Sequence, residues 1–195
     1  MTRFKPMPFK RWAAVVLTGL LILLGGCSSM DVQEYRNTAP EFDLFAYFDG
    51  KTYAWGQFQA RSGRVERRFK VAISGEVIGN QLRLDERFIY DNGERQTRIW
   101  QITRTAEGRY VGRAADVVGE AYGESAGNAL NWRYTLDLPY KNSSIHVQFD
   151  DWMFLQTPEL LLNRAEVSKW GFKVGEVTLF FSKFSQGDSE LESGL

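Results

Sequence analysis

Four ionisable residues stand in phase with apolar neighbours, where alternation would put an apolar side chain. Arg67 shares a face with Phe69, Glu86 lies between Leu84 and Phe88, Arg98 is in phase with Trp100 and Ile102, and Asp151 follows Phe149. A charge among apolar side chains is costly unless it is paired, so these four must meet one another or a ligand. Two readings stay open. In one they form an internal salt-bridge cluster or sit at an open barrel mouth. In the other, one or both arginines hold the head group of an acidic, largely apolar ligand, because a planar fork of donors suits a carboxylate or phosphate. Trp100, Trp132 and Tyr134 share the inward phase and complete the set of candidate ligand-binding residues.

Candidates for catalysis are sparse. His146 is the single histidine, and its phase points outward. Asp150 and Asp151 are adjacent, and neighbouring strand residues face opposite ways. The chain has no Gly-x-Ser-x-Gly elbow, no phosphate loop and no spacing of metal ligands. Neither a cofactor nor a metal is expected. An isomerase or hydrolase working through Asp116, Asp150 or Asp151 ranks below a binding or an interaction role.

The elements that must position these residues have period two. Val65, Phe69, Val71 and Ile73 oppose Glu66, Arg68 and Lys70. Leu82, Leu84, Phe88 and Tyr90 oppose Arg83, Asp85 and Arg87. Leu130, Trp132, Tyr134, Leu136 and Leu138 form another such face, as do Ile145, Val147 and Phe149. Helices would need apolar spacings of three and four instead. Turn residues punctuate the runs at Ser62-Gly63, Gly79-Asn80, Asn92-Gly93, Glu107-Gly108 and Lys141-Asn142. Such a meander predicts an all-β, antiparallel up-and-down barrel of about 8–10 strands, since closure removes exposed edges. Phe42–Phe48 is expected to be a short helical turn at one end, 158–173 reads as either helix or strand, and Val174–Phe184 reads as the closing strand. The charged outward face argues against a barrel that crosses lipid, where a basic residue at mid-depth costs ~2–4 kcal/mol. Gly112, Gly119, Gly123 and Gly127 interrupt one stretch, either for tight closure or as a ligand portal.

The N-terminus carries Arg3, Lys5, Lys10 and Arg11, an uncharged apolar run from Trp12 to Leu24, and then Gly25-Gly26-Cys27, the only cysteine. This order fits a secretory signal. Its end resembles the lipobox of bacterial lipoproteins. The resemblance implies removal of residues 1–26, acylation of Cys27 and, with no aspartate after the cysteine, a lipid anchor in the outer membrane, on its periplasmic side. Residues 27–40 are then the lipidated cysteine and a tether, 41–184 the barrel domain and 185–195 a frayed polar tail. The leader holds four of the 24 basic residues and none of the 24 acidic ones, so the remainder is mildly acidic. That argues against a nucleic-acid partner.

Tyr90-Asp91-Asn92-Gly93-Glu94, Ala115-Asp116-Val117-Val118-Gly119, Asp150-Asp151-Trp152-Met153, Leu162-Asn163-Arg164-Ala165 and Gly175-Glu176-Val177-Thr178 together resemble an uncharacterised proteobacterial lipoprotein family, a domain of unknown function. The resemblance spans nearly the whole mature domain and carries no activity with it. More loosely, Phe48-Asp49-Gly50 followed by Trp55-Gly56 resembles the first strand of lipocalin-like barrels, with a longer glycine-to-tryptophan spacing here. Two functions follow. One is a membrane-anchored lipoprotein whose barrel binds or carries a fatty acid or lipid. The other is an interaction lipoprotein with a filled core.

Overall fold

The computed structural model describes residues 30–140 and 143–193. The expected leader, Cys27 and the turn at Lys141-Asn142 lie outside the described residues. Ten antiparallel strands follow one another: β1 (Gly50–Ala60), β2 (Val65–Ile78), β3 (Gln81–Tyr90), β4 (Arg95–Ala106), β5 (Arg109–Arg113), β6 (Ala121–Ala126), β7 (Ala129–Tyr140), β8 (Ser143–Thr157), β9 (Leu160–Lys169) and β10 (Phe172–Ser182). Each pairs with its sequence neighbours, and β1 pairs with β10, from Tyr53↔Ser182 to Ala60↔Gly175. The sheet is therefore a closed up-and-down barrel with no free edge. Alternation decides the two faces: Leu82 and Leu84 are buried inward, and Arg83 and Arg87 stand outside on either flank of Asp85. The segment 158–173 resolves into a turn, β9 and the start of β10, which excludes the helical alternative.

A five-residue helix, α1 (Leu44–Phe48), stops one end. Asp43 caps it, its Oδ1 accepting from the amides of Phe45 and Ala46 at 2.8 and 3.1 Å. The same carboxylate takes Arg104 at 2.6 Å. Phe42, Leu44, Phe45, Tyr47 and Phe48 are all buried, so the helix acts as an apolar plug. Lys183 Nζ donates to the carbonyls of Tyr47 and Asp49 at its C-terminal end. The fit is close: a Cβ on Gly75 would lie 1.8 Å from the Phe48 carbonyl oxygen, so β2 has a glycine where the plug touches it.

The two chain ends correct the expected boundaries. The 27–40 tether folds at its far end, where a 3-10 turn at Val32–Tyr35 lays Val32 and Tyr35 against Trp152 on the barrel's outside. The expected frayed tail forms α2 (Ser189–Glu192), whose Leu191 is fully buried against Tyr53 and Ala72. Asp188 pairs with Lys70 at 2.7 Å beside it. Both ends cover outward-facing aromatic rings that would otherwise meet water. Val32–Leu195 is one compact unit, and among the described residues its closed sheet and its core are formed entirely within it.

Candidate functional site

The barrel is hollow. Above the α1 plug lies a cavity of about 490 Å³, lined by side chains from eight strands, all but β5 and β6, and by Leu44 and Phe48 of the plug. That volume falls within the ~300–1,000 Å³ of small-molecule pockets. Its floor is Leu44, Phe48, Ile73, Leu84, Ile102 and Leu130. Its far end reaches Phe58, Arg67, Leu138, Ile145 and Val174, and Arg67 and Val174 touch solvent there.

All seven sequence candidates, Arg67, Glu86, Arg98, Trp100, Trp132, Tyr134 and Asp151, line this one cavity. The aromatic rings form a wall. Trp100 stands edge-on to Trp132 (5.6 Å) and to Tyr134 (5.4 Å), and Tyr134 stacks on Phe149 at 5.0 Å. Of the glycines in the interrupted stretch, Gly112 and Gly123 make room for Trp132: a Cβ on either would come within 2.6 or 2.4 Å of that ring. They serve packing and not a portal. Tyr53, Trp55 and Trp152, equally aromatic in sequence, are missing from the cavity lining; Tyr53 and Trp152 pack instead under the two chain ends.

Both arginines are already engaged, which answers the first of the two open readings. Arg98 grips Asp116 with two donors: Nη2 to Oδ2 at 2.8 Å and Nε to the two oxygens at 3.1 and 3.0 Å. Its Nη1 lies 3.8 Å from Glu86 Oε2. Asp116 comes from the loop between β5 and β6, which leans on β7 through the amide of Asp137 donating to the Asp116 carbonyl at 2.9 Å. Arg67 sits at the mouth, paired with Glu94 and 3.5 Å over the Tyr90 ring. His146 is outside, 3.5 Å from Asp137, and Asp150 faces out to Arg133 and Asn131.

What the pairing leaves over is acid. Asp151 is 5% exposed; its Oδ2 is 3.4 Å from the Tyr134 hydroxyl, and its Oδ1 makes no hydrogen bond of normal length, with the Asn163 side chain near the carboxyl. Glu86 Oε2 is also buried without a hydrogen bond, and so is the side-chain oxygen of Asn163 on β9, beside Asp151 in the same lining. Burial pushes the Glu86 carboxyl up to about 7, against the pull of Arg98. Burial does the same to Asp151, also to about 7 and also against Arg98. Burial pulls the Arg98 guanidinium down, but Glu86, Tyr134 and Asp116 more than reverse it, so it stays charged.

A pH dependence of stability follows. Glu86 and Asp151 bind protons more tightly folded than unfolded, so between their ordinary values and about 7 the folded state holds more protons. Raising the pH through that window removes those protons and destabilises the fold, by an upper bound of roughly 4 kcal/mol per carboxyl. Glu176, held down to about 2 by Arg164 and Lys173, has its effect only at lower pH. The ligand-free unit is expected to melt at a higher temperature near pH 5 than near pH 8. The double variant Glu86→Gln, Asp151→Asn should flatten the difference in calorimetry, and a wild-type melting point that rises with pH would contradict the assignment.

The family described as "Protein of unknown function (DUF3833)" matches residues 21–183. The chain belongs to this family. The barrel described here is thus the DUF3833 domain, and the match runs through the cavity and all its lining strands. No curated protein matches the chain. Among solved structures, the DUF3833 chain is similar to the S-type phycobiliprotein lyase CPES from Guillardia theta, with 7% identity, a TM-score of 0.51, and 71% of this chain and 88% of that chain covered. At that identity the likeness shows a shared fold and nothing about chemistry.

Proposed function

We propose that this DUF3833 chain is a lipid-anchored binding module of the bacterial outer membrane that holds or carries a hydrophobic, lipid-like ligand, a fatty acid or another lipid, on the periplasmic side. The observation that carries the reading is the cavity of about 490 Å³ inside a closed barrel, walled by Trp100, Trp132, Tyr134 and Phe149. A void of that size, lined mostly by apolar side chains, forfeits packing energy unless something occupies it. The leader and Cys27 supply the anchoring part of the proposal, because several acyl chains hold a protein to a bilayer far better than one. The similarity to a lyase barrel supports a ligand-holding architecture only.

The experiment is native mass spectrometry of Val32–Leu195, produced in bacteria and purified without detergent, followed by solvent extraction. A stoichiometric adduct of lipid size, released on unfolding, is expected. A clean mass that stays clean after incubation with fatty acids and phospholipids would overturn the proposal.

A further inference from the structure

We propose that the ligand's polar group is a hydrogen-bond donor, an amine or amine-like cation on an apolar body, and that the cavity discriminates against a free carboxylate. The inference rests on the binding reading above and narrows its ligand class. Arg98 is one guanidinium among Glu86, Asp116 and Asp151, and Asp116 engages its Nε and Nη2. Arg67 is spent on Glu94 at the mouth. The interior therefore holds carboxyls in excess of cations, and an acidic head group reaching the Nη1 of Arg98 would have to displace Glu86, 3.8 Å from it.

The unsatisfied atoms agree with the charge count. Glu86 Oε2, Asp151 Oδ1 and Asn163 Oδ1 are buried acceptors that make no hydrogen bond of normal length, with Arg98 Nη1 3.8 Å from the first and the Asn163 side chain beside Asp151, on residues that line the cavity. A buried acceptor left unpaired is expensive, and almost all such groups in folded proteins find a partner. A carboxylate brings no donor and adds a third like charge beside Glu86 and Asp151. An ammonium brings three donors and a compensating charge. The aromatic lining of Trp100, Trp132 and Tyr134 suits an apolar body that carries a cation.

Protonation offers the empty cavity another way out, since burial raises both carboxyls. The groups that set this balance are Glu86 on β3, Arg98 on β4, Asp116 in the β5–β6 loop, Tyr134 on β7 and Asp151 on β8, with Arg67 and Tyr90 nearer the mouth. An ammonium guest must compete with those protons, so its affinity should rise with pH.

The test compares dodecylamine, dodecanol and dodecanoate, titrated calorimetrically into Val32–Leu195 below their aggregation thresholds. At about pH 8 dodecylamine is expected to bind about tenfold or more tighter than dodecanoate, with dodecanol between. Lowering the pH to about 5 should shrink that gap, and Asp151→Asn with Glu86→Gln should reduce it to within about threefold. The wild-type comparison stands by itself if the double variant folds poorly. Dodecanoate binding as tightly as dodecylamine at about pH 8, with dodecanol also bound, would overturn this inference and leave the binding module standing. Failure of all three probes to bind would overturn both.

Discussion

Arg98→Met is expected to lower the stability of the barrel by about 3–5 kcal/mol in urea unfolding near pH 8. The loss comes from what stays behind: Glu86, Asp116 and Asp151 would share the interior without a cation. Breaking one side of a buried pair strands the other charge, whereas replacing both sides by apolar groups is often neutral. Arg98→Met with Asp116→Leu should therefore recover the part of the loss that Asp116 carries, while Glu86 and Asp151 stay without a cation. Acid should help the single variant too, because protonation discharges the stranded carboxyls, so its deficit should be smaller near pH 5. A single variant that unfolds within about 1 kcal/mol of wild type near pH 8 would mean the Arg98–Asp116 contact is solvated and carries little.

The second large effect is on binding. Val147→Trp places an indole inside the cavity from β8, where Val147 is 4% exposed and lines the space. Enlarging a side chain in a tight core costs about 1–3 kcal/mol, but here there is room to receive it. The variant should keep or gain thermal stability and lose at least about tenfold in affinity for any cavity ligand, near 1.4 kcal/mol. Calorimetric titration with dodecanol reads the affinity, and a melting curve reads the fold. Unchanged affinity in a folded Val147→Trp would place the ligand outside the barrel.

Alternation carried a large part of the site. On β3, β4, β7 and β8 each side chain's face depends on its own position in the pleat, so the phase of Glu86, Arg98, Tyr134 and Asp151 was legible without any partner strand. Arg67 was placed by the same phase, although β1 and β2 slip register between Phe58 and Gln59. Two contributors escaped. Asn163 lies in a segment whose apolar residues fit helix and strand alike. Asp116 lies in a loop, where no period reports which way a side chain points, and its partner is 18 residues away. Tyr53 and Trp152 mark a limit of that pattern, because an outward ring buried by a chain end is as apolar in sequence as an inward one.

By itself the sequence determined that this chain makes a closed antiparallel barrel, that its outside is charged, and that a few ionisable groups sit among apolar ones. Those are local properties, set by a two-residue repeat and by turn residues that tolerate positive φ. Only the tertiary structure decided that the interior is hollow, because space left across a barrel depends on how ten strands close and on what plugs the end. It also decided that the interior is acid-rich, because Asp116 from the β5–β6 loop and Glu94 from the β3–β4 turn take the arginines. Charge in a cavity is a sum over strands and loops that meet only when the sheet closes, and no single stretch of the chain contains it.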